Sequence, residues 1–294
     1  MASTQEYKKL EESTKTIENL AIVSAAIILL LGTSVSTVFS YNPIGTCFSV
    51  SIGVWLTGVC YYVYSLISKD KKITLPFPEN IYITGVLTSL GQVFAYIAYY
   101  YNPMNHGEVT TLLGISAVVP ILLSEKSHIS QIPGLLAVLI GLGFTAYYSL
   151  DFWLHYSFFF AIASVFVLTW LFNLPKKSDS TPKDAFYALT IYFILNVLGF
   201  FILCGLGLYP WDEERALVYF GIGSGICIAF ACYIALKFEF MGIGALAFMS
   251  IGYLQIVIEK FVFGVEATPQ LFYPVLPIFI GLEFIALPQI VLFR

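Results

Sequence analysis

The stretch FAYIAYYYNPMNHGEVTTLLGISAVVPILLSEKSHISQIPGLLAVLIGLG runs from Phe94 to Gly143. A degraded version, FACYIALKFEFMGIGALAFMSIGYLQIVIEKFVFGVEATPQLFYPVLPIFIGL, runs from Phe230 to Leu282. Both begin in an apolar segment with near-matching residues, Phe94-Ala95-Tyr96-Ile97-Ala98 against Phe230-Ala231-Cys232-Tyr233-Ile234-Ala235. A second apolar segment follows, then a polar break carrying a glutamate (Glu125; Glu266), then a third apolar segment with a late glycine (Gly141; Gly281). An internal repeat on this scale decides how the whole fold is read. In a chain of membrane-spanning helices, a repeat that returns upside down is a transporter signature.

Composition sets the solvent. The chain has 294 residues, 59% apolar and 11% charged, where a soluble domain carries about 25% charged residues. So little charge cannot clothe a water-facing surface of this size, and lipid is the expected partner of the exterior. A net charge of −4 argues against nucleic acid. Cys47, Cys60, Cys204, Cys227 and Cys232 all lie in apolar runs with no metal-ligand spacing, so neither a disulfide framework nor a metal site is expected. No phosphate-binding glycine loop, histidine box or hydrolase triad is present, so the chain reads as neither an enzyme nor a cofactor protein, with no catalytic residues. The opening residues are polar and mixed in charge, unlike a secretory leader, which makes the first apolar segment an uncleaved span.

A span needs about 20 mostly apolar residues. Ten segments meet this: 18–40, 46–68, 80–101, 107–124, 130–149, 152–174, 185–208, 215–236, 241–263 and 270–292. The fold class is therefore all-α integral membrane, with a tail at 1–17, a first five-helix repeat at 18–149 and a second at 150–294. The tail, EYKKLEESTKTIE, is able to form a polar helix. Placing the N-terminus in the cytoplasm puts twelve of the fourteen basic residues on that side and leaves Arg215 and Lys260 opposite. This bias sets both termini in the cytoplasm. It also puts Glu125 on the cytoplasmic side and Glu266 on the other, so the two copies are opposed in direction.

These features resemble the drug/metabolite transporter superfamily, and specifically its ten-helix, EamA-like type. The best local likeness is SEKSHISQIPGLLAVLIGLG, Ser124 to Gly143, which is similar to that family's hinge between its fourth and fifth helices. The second copy keeps Gly264, Glu266, Thr268, Pro269, Gln270 and Gly281, with Pro274 near the position of the first hinge glycine. The proline that the family often carries about thirteen residues before the Glu is replaced by Leu112 and Tyr253. The resemblance implies a central cavity between the halves and alternating access. The family's tenth helix buttresses the bundle or meets a second copy, which leaves a homodimer open.

Candidate substrate-binding residues follow from polar side chains on shared helix faces. In the first span Thr33, Ser36, Thr37 and Ser40 fall on one face, suited to lining a wet cavity or to bonding the helix's own carbonyls. The third span offers Ser89, Gln92, Tyr96 and Tyr99, and the eighth repeats a tyrosine as Tyr233. Two such tyrosines suit a planar or cationic solute. Gln255 and Glu259 lie one turn apart in the ninth span, with Gly252 on the same side. Thr111 opens the fourth span beside Thr110 and Glu108, and His155 opens the sixth. The expected liners are thus Ser36, Thr37, Gln92, Tyr96, Thr111, His155, Tyr233, Gln255 and Glu259. Glu259 and Glu283 are also candidates for proton coupling, since carboxylates inside spans face water, a partner or a substrate path. Asn196 reads as interhelical glue, and Gly221 and Gly225 as a site of close helix contact. The clustered tyrosines at span ends, Tyr99 to Tyr101 among them, read as interfacial belts.

The expected function is a secondary transporter or facilitator of a small polar organic solute, an amino acid or amine-like metabolite first. Nucleotides or nucleotide sugars rank lower because the interior of the spans contains no arginine to meet a diphosphate, Arg215 standing at the outer end of the eighth. A membrane receptor or assembly factor with a filled centre is the rival from another class. The expected location is the cell membrane, with a eukaryotic endomembrane as the alternative.

Overall fold

The computed structural model describes residues 4–38, 43–68, 77–103, 105–122, 131–148, 152–177, 181–207, 215–237, 250–265 and 272–291. Among these residues there are ten helices: α1 (Thr4–Val38), α2 (Pro43–Ser68), α3 (Ile81–Tyr101), α4 (His106–Leu122), α5 (Ile132–Tyr148), α6 (Phe152–Phe172), α7 (Pro182–Gly205), α8 (Arg215–Lys237), α9 (Ile251–Phe261) and α10 (Phe272–Val291). The polar tail is helical and runs without a break into the first apolar segment. Of the expected ninth span 241–263, the first part and the breaks holding Glu125 and Glu266 lie outside the described residues.

Local signals set the helix ends. Asn80 caps α3 by accepting from the Ile83 N–H at 3.0 Å. Pro182 opens α7, and Asp184 accepts from the backbone N–H and the hydroxyl of Thr181 at 2.8 and 2.9 Å. Gly264 takes φ +70° past the end of α9, and the Val265 N–H returns to the Glu259 carbonyl at 3.0 Å. Such a left-handed turn ends a helix, and it holds Glu259 in the last turns of α9.

Side-chain contacts give the helix directions. His106 meets Glu259 while Thr110 meets Gln255, so α4 and α9 are antiparallel. Trp55 stacks on Phe193 and Phe48 on Phe200, so α2 and α7 are antiparallel. Ser157 donates to the Ala98 carbonyl and Ser164 to that of Gly91, so α3 and α6 are antiparallel. Ser49 packs at Gly221 and Val54 at Gly225, so α2 and α8 are parallel. Each relation agrees with ten helices alternating up and down. At one end, a two-residue antiparallel pairing of β1 (Phe77–Pro78) with β2 (Lys176–Lys177) ties the connection after α2 to the one after α6.

Close crossings lack side chains in the way. A Cβ on Gly134 would reach the Gly281 carbonyl at 2.7 Å, so α5 and α10 cross backbone to backbone there. Gly225 makes the same kind of contact with the α2 backbone at Val50 and Val54, and Gly221 takes in the Ser49 side chain, so the pair is a site of close contact as its spacing suggested. Among the described residues, four helical stretches are long and apolar enough to cross a membrane: Leu20–Val38, Pro43–Ser68, Ile81–Tyr101 and Pro182–Gly205. Large apolar side chains such as Leu139, Phe166, Trp170 and Ile202 face outward, while Ser, Thr, Asn, Gln and Glu side chains are buried between helices.

Candidate functional site

Gln255 and Glu259 share one face of α9, and both are buried, at 0% and 2% exposure. Small residues bring α4 onto that face. A Cβ on Gly252 would sit 2.6 Å from the Thr111 backbone nitrogen, and one on Gly107 would sit 2.9 Å from the Ile256 nitrogen. This approach fixes the register that sets His106 opposite Glu259 and Thr110 opposite Gln255.

Glu259 Oε1 is the hub. It accepts from Thr37 Oγ1 at 3.0 Å and from Gln255 Nε2 at 2.7 Å, and it lies 3.1 Å from His106 Nδ1. Gln255 Nε2 also reaches Thr37 Oγ1 at 3.1 Å, and Gln255 Oε1 accepts from Thr110 Oγ1 at 2.5 Å. Thr110 in turn bonds Tyr99 OH at 2.9 Å. Beside this, Tyr96 OH donates to Ser36 Oγ at 3.0 Å, and the Tyr99 ring meets the rings of Tyr96 and His106 edge to face. Residues of α1, α3, α4 and α9 thus join at the end of the bundle away from the β1–β2 pairing. His106 and Glu259 stand at ion-pair distance, and the contact carries charge on both sides only when the imidazole is protonated.

A second group lies at mid-length on α3 and α7. Ser89 Oγ donates to Asn196 Oδ1 at 3.0 Å, and Tyr192 OH donates to Gln92 Oε1. Gln92 Nε2 and Asn196 Nδ2 are buried with no partner. Elsewhere, Glu108 Oε2 accepts from Asn102 at 2.9 Å, and Ser250 supplies Glu283 with a donor at 3.0 Å.

The expected liners therefore divide. Ser36, Thr37, Tyr96, Gln255 and Glu259 come together, and Gln92 lies about one turn below Tyr96. Thr111 does not join them: it bonds the Gly107 carbonyl of its own helix at 2.7 Å and packs under Gly252. The polar position of α4 is Thr110 instead. The side chains of His155 and Tyr233 lie outside the described residues, as does Ser40. The α1 hydroxyls do both things open to them. Thr33, Ser36 and Thr37 bond carbonyls of their own helix, and Ser36 and Thr37 also bond across to α3 and α9. Tyr99 is a correction: it is buried at 6% exposure with its hydroxyl engaged, while Tyr100 faces outward as a belt residue does. The expected set of liners left out His106, Thr110 and Tyr192. Their signal was present, at least for the first two, since His106 and Thr110 repeat the i, i+4 spacing of Gln255 and Glu259.

No protein-family model matches the chain, and no curated protein matches it in sequence. A solved structure described only as the crystal structure of a protein superposes on 93% of this chain and 98% of its own, with TM-score 0.58 and 15% identity. That likeness is one of fold.

Proposed function

We propose that this chain is a ten-helix membrane protein of two inverted five-helix halves, 18–149 and 150–294, that moves a small polar organic solute by alternating access, in the manner of the drug/metabolite transporters. Amino acids and amine-like metabolites are the first substrate class, and nucleotide sugars the second. The observation that carries the reading is Glu259, a buried carboxylate of the second half held by His106 and Thr37 of the first. A charged group at the junction of two apolar bundles is costly, and such groups mark solute and ion paths. The packing supports the same reading. Exchanging the halves turns the α3–α6 contact into α8–α1, α4–α6 into α9–α1 and α2–α8 into α7–α3, and all six are present. The same exchange returns α2–α7, α4–α9 and α5–α10 to themselves.

The test is uptake of labelled amino acids and amines into proteoliposomes holding the full chain. Time-dependent uptake by the wild type, reduced about tenfold or more by Glu259→Gln with the protein still folded, is the expected result. Absence of uptake across the panel by folded wild-type protein overturns it. One observation favours the receptor or assembly reading as the second choice: the residues around Glu259 direct their bonds at one another. In that case Glu259→Gln changes stability and there is no flux to change.

A further inference from the structure

Two amide groups near the middle of the bundle are half used. Gln92 stands midway along α3 and Asn196 midway along α7. Each accepts one hydrogen bond through its oxygen, from Tyr192 and Ser89 respectively. Each leaves its NH2 group buried with no partner. The two are neighbours: Ser89 and Gln92 lie one turn apart on α3, Tyr192 and Asn196 one turn apart on α7, and the bonds cross-link the two turns. Both unused NH2 groups therefore belong to one cross-linked stretch of α3 and α7.

Leaving buried N–H groups empty is expensive, because each costs about 1–3 kcal/mol when nothing accepts from it. The cost is greatest where the surroundings are apolar, and in lipid no water stands by to repair it. Interhelical glue alone does not explain the arrangement. A threonine or serine at position 196 would accept from Ser89 without stranding a donor. What the pair lacks is an acceptor. An NH2 group offers two N–H donors, so the two groups offer four, and an ionised carboxylate has about four lone-pair sites. A single water has two. Charge-assisted bonds to a carboxylate are also about twice as strong as neutral ones.

We propose that Gln92 and Asn196 form a mid-depth site for the carboxylate of the solute, so that the transported class is amino acids and other carboxylates, with amines lacking a carboxylate excluded. This rests on the transporter reading for its role in flux but makes a separate claim about binding. It adds Asn196 to the site and assigns Gln92 the part of donor.

The test uses the full chain in lipid nanodiscs and measures thermal shift with the twenty L-amino acids and, where one exists, the matching decarboxylated amine, for example L-phenylalanine against phenethylamine and L-lysine against cadaverine. The variants are Gln92→Met, Asn196→Leu, Asn196→Asp and Ser89→Ala. Asn196→Asp keeps the oxygen that Ser89 donates to and replaces only the unused NH2, and unfolding of each variant without ligand shows which of them remain folded. At least one amino acid should stabilise the wild type where its amine does not. Both Asn196 variants and Gln92→Met should weaken that binding about tenfold or more. Ser89→Ala, which removes the hydroxyl that holds the Asn196 amide and leaves the donor in place, should weaken binding less than either Asn196 variant. The proposal is overturned if no amino acid binds, if the amines bind as well as the acids, if the donor variants bind normally, or if Ser89→Ala matches Asn196→Leu. Parallel uptake assays separate the two claims. Binding without uptake removes the transporter reading and keeps this site, and uptake untouched by the donor variants removes this site and keeps the transporter.

Discussion

The polar group around Glu259 and the one around Gln92 are built from the same materials and end in opposite states. At the end of the bundle, Thr37, Gln255 and His106 converge on one carboxylate oxygen, and Thr110 closes the other side of Gln255. Donors and acceptors there find each other across α1, α4 and α9. At mid-length, Ser89 and Tyr192 satisfy two amide oxygens and strand two amide nitrogens. The difference is one of geometry and not of composition. A hub that accepts several donors can close a network, whereas an amide engaged from one side by a hydroxyl is left with its other end free. A closed network holds helices together. An open one has a binding capacity that the protein does not use up.

The largest expected effect tests the closed side. Glu259→Leu removes the acceptor shared by three groups; Thr37 falls back on the Thr33 carbonyl, while His106 and one N–H of Gln255 lose their partner in a buried place, at about 1–3 kcal/mol for each that stays unpaired. Thermal unfolding of the purified protein should show a loss of about 3 kcal/mol or more. Glu259→Gln keeps an oxygen for Thr37 and should lose less. Equal stability of Glu259→Leu and wild type would mean that these bonds do not hold the bundle.

Next in size is Gly252→Val. Its side chain has to enter space occupied by the Thr111 backbone, so α4 and α9 must separate. Overpacking of this kind costs about 1–3 kcal/mol. A cysteine pair placed at 106 and 259 would report the change: cross-linking that is efficient with glycine at 252 and lost in the Gly252→Val background marks a shifted crossing. Smaller again is Tyr96→Phe, which removes only the bond to Ser36 and should cost about 1 kcal/mol. The same change at Tyr192 frees Gln92 Oε1 and should alter amino-acid binding more than it alters stability.

The comparison also shows what a sequence makes legible. Apolar run length located α3, α5, α6 and α8 to within a few residues, because an apolar helix is bounded by where the apolar residues stop. The pair Gln255 and Glu259 was legible because two polar residues one turn apart must share a face. Their partners were harder to find, since which turn of α4 faces them depends on the depth of the crossing at Gly107 and Gly252. That is a tertiary quantity, and it decided between Thr110 and Thr111. Asn196 was legible as glue through its oxygen, but nothing in the local pattern tells that its nitrogen has no partner.

The smallest effect is the most discriminating. Thr110 and Thr111 are neighbours in sequence and sit on the same turn of α4, yet the structure gives them different work. Thr110 Oγ1 links Tyr99 to Gln255, while Thr111 Oγ1 bonds the Gly107 carbonyl of its own helix and lies with the Thr111 backbone against Gly252. Valine has the shape of threonine without the hydroxyl. Thr111→Val should therefore keep the packing and change stability by less than about 0.5 kcal/mol, since a hydroxyl bonded to its own helix adds little. Thr110→Val leaves Gln255 Oε1 and Tyr99 OH without their shared partner and should cost about 1–2 kcal/mol. Thermal unfolding of the two variants side by side reads the difference directly. If Thr111→Val proved the more damaging, α4 would be rotated by about 100° from the register described, the angle between consecutive helical residues, and the contacts of His106 with Glu259 would go with it.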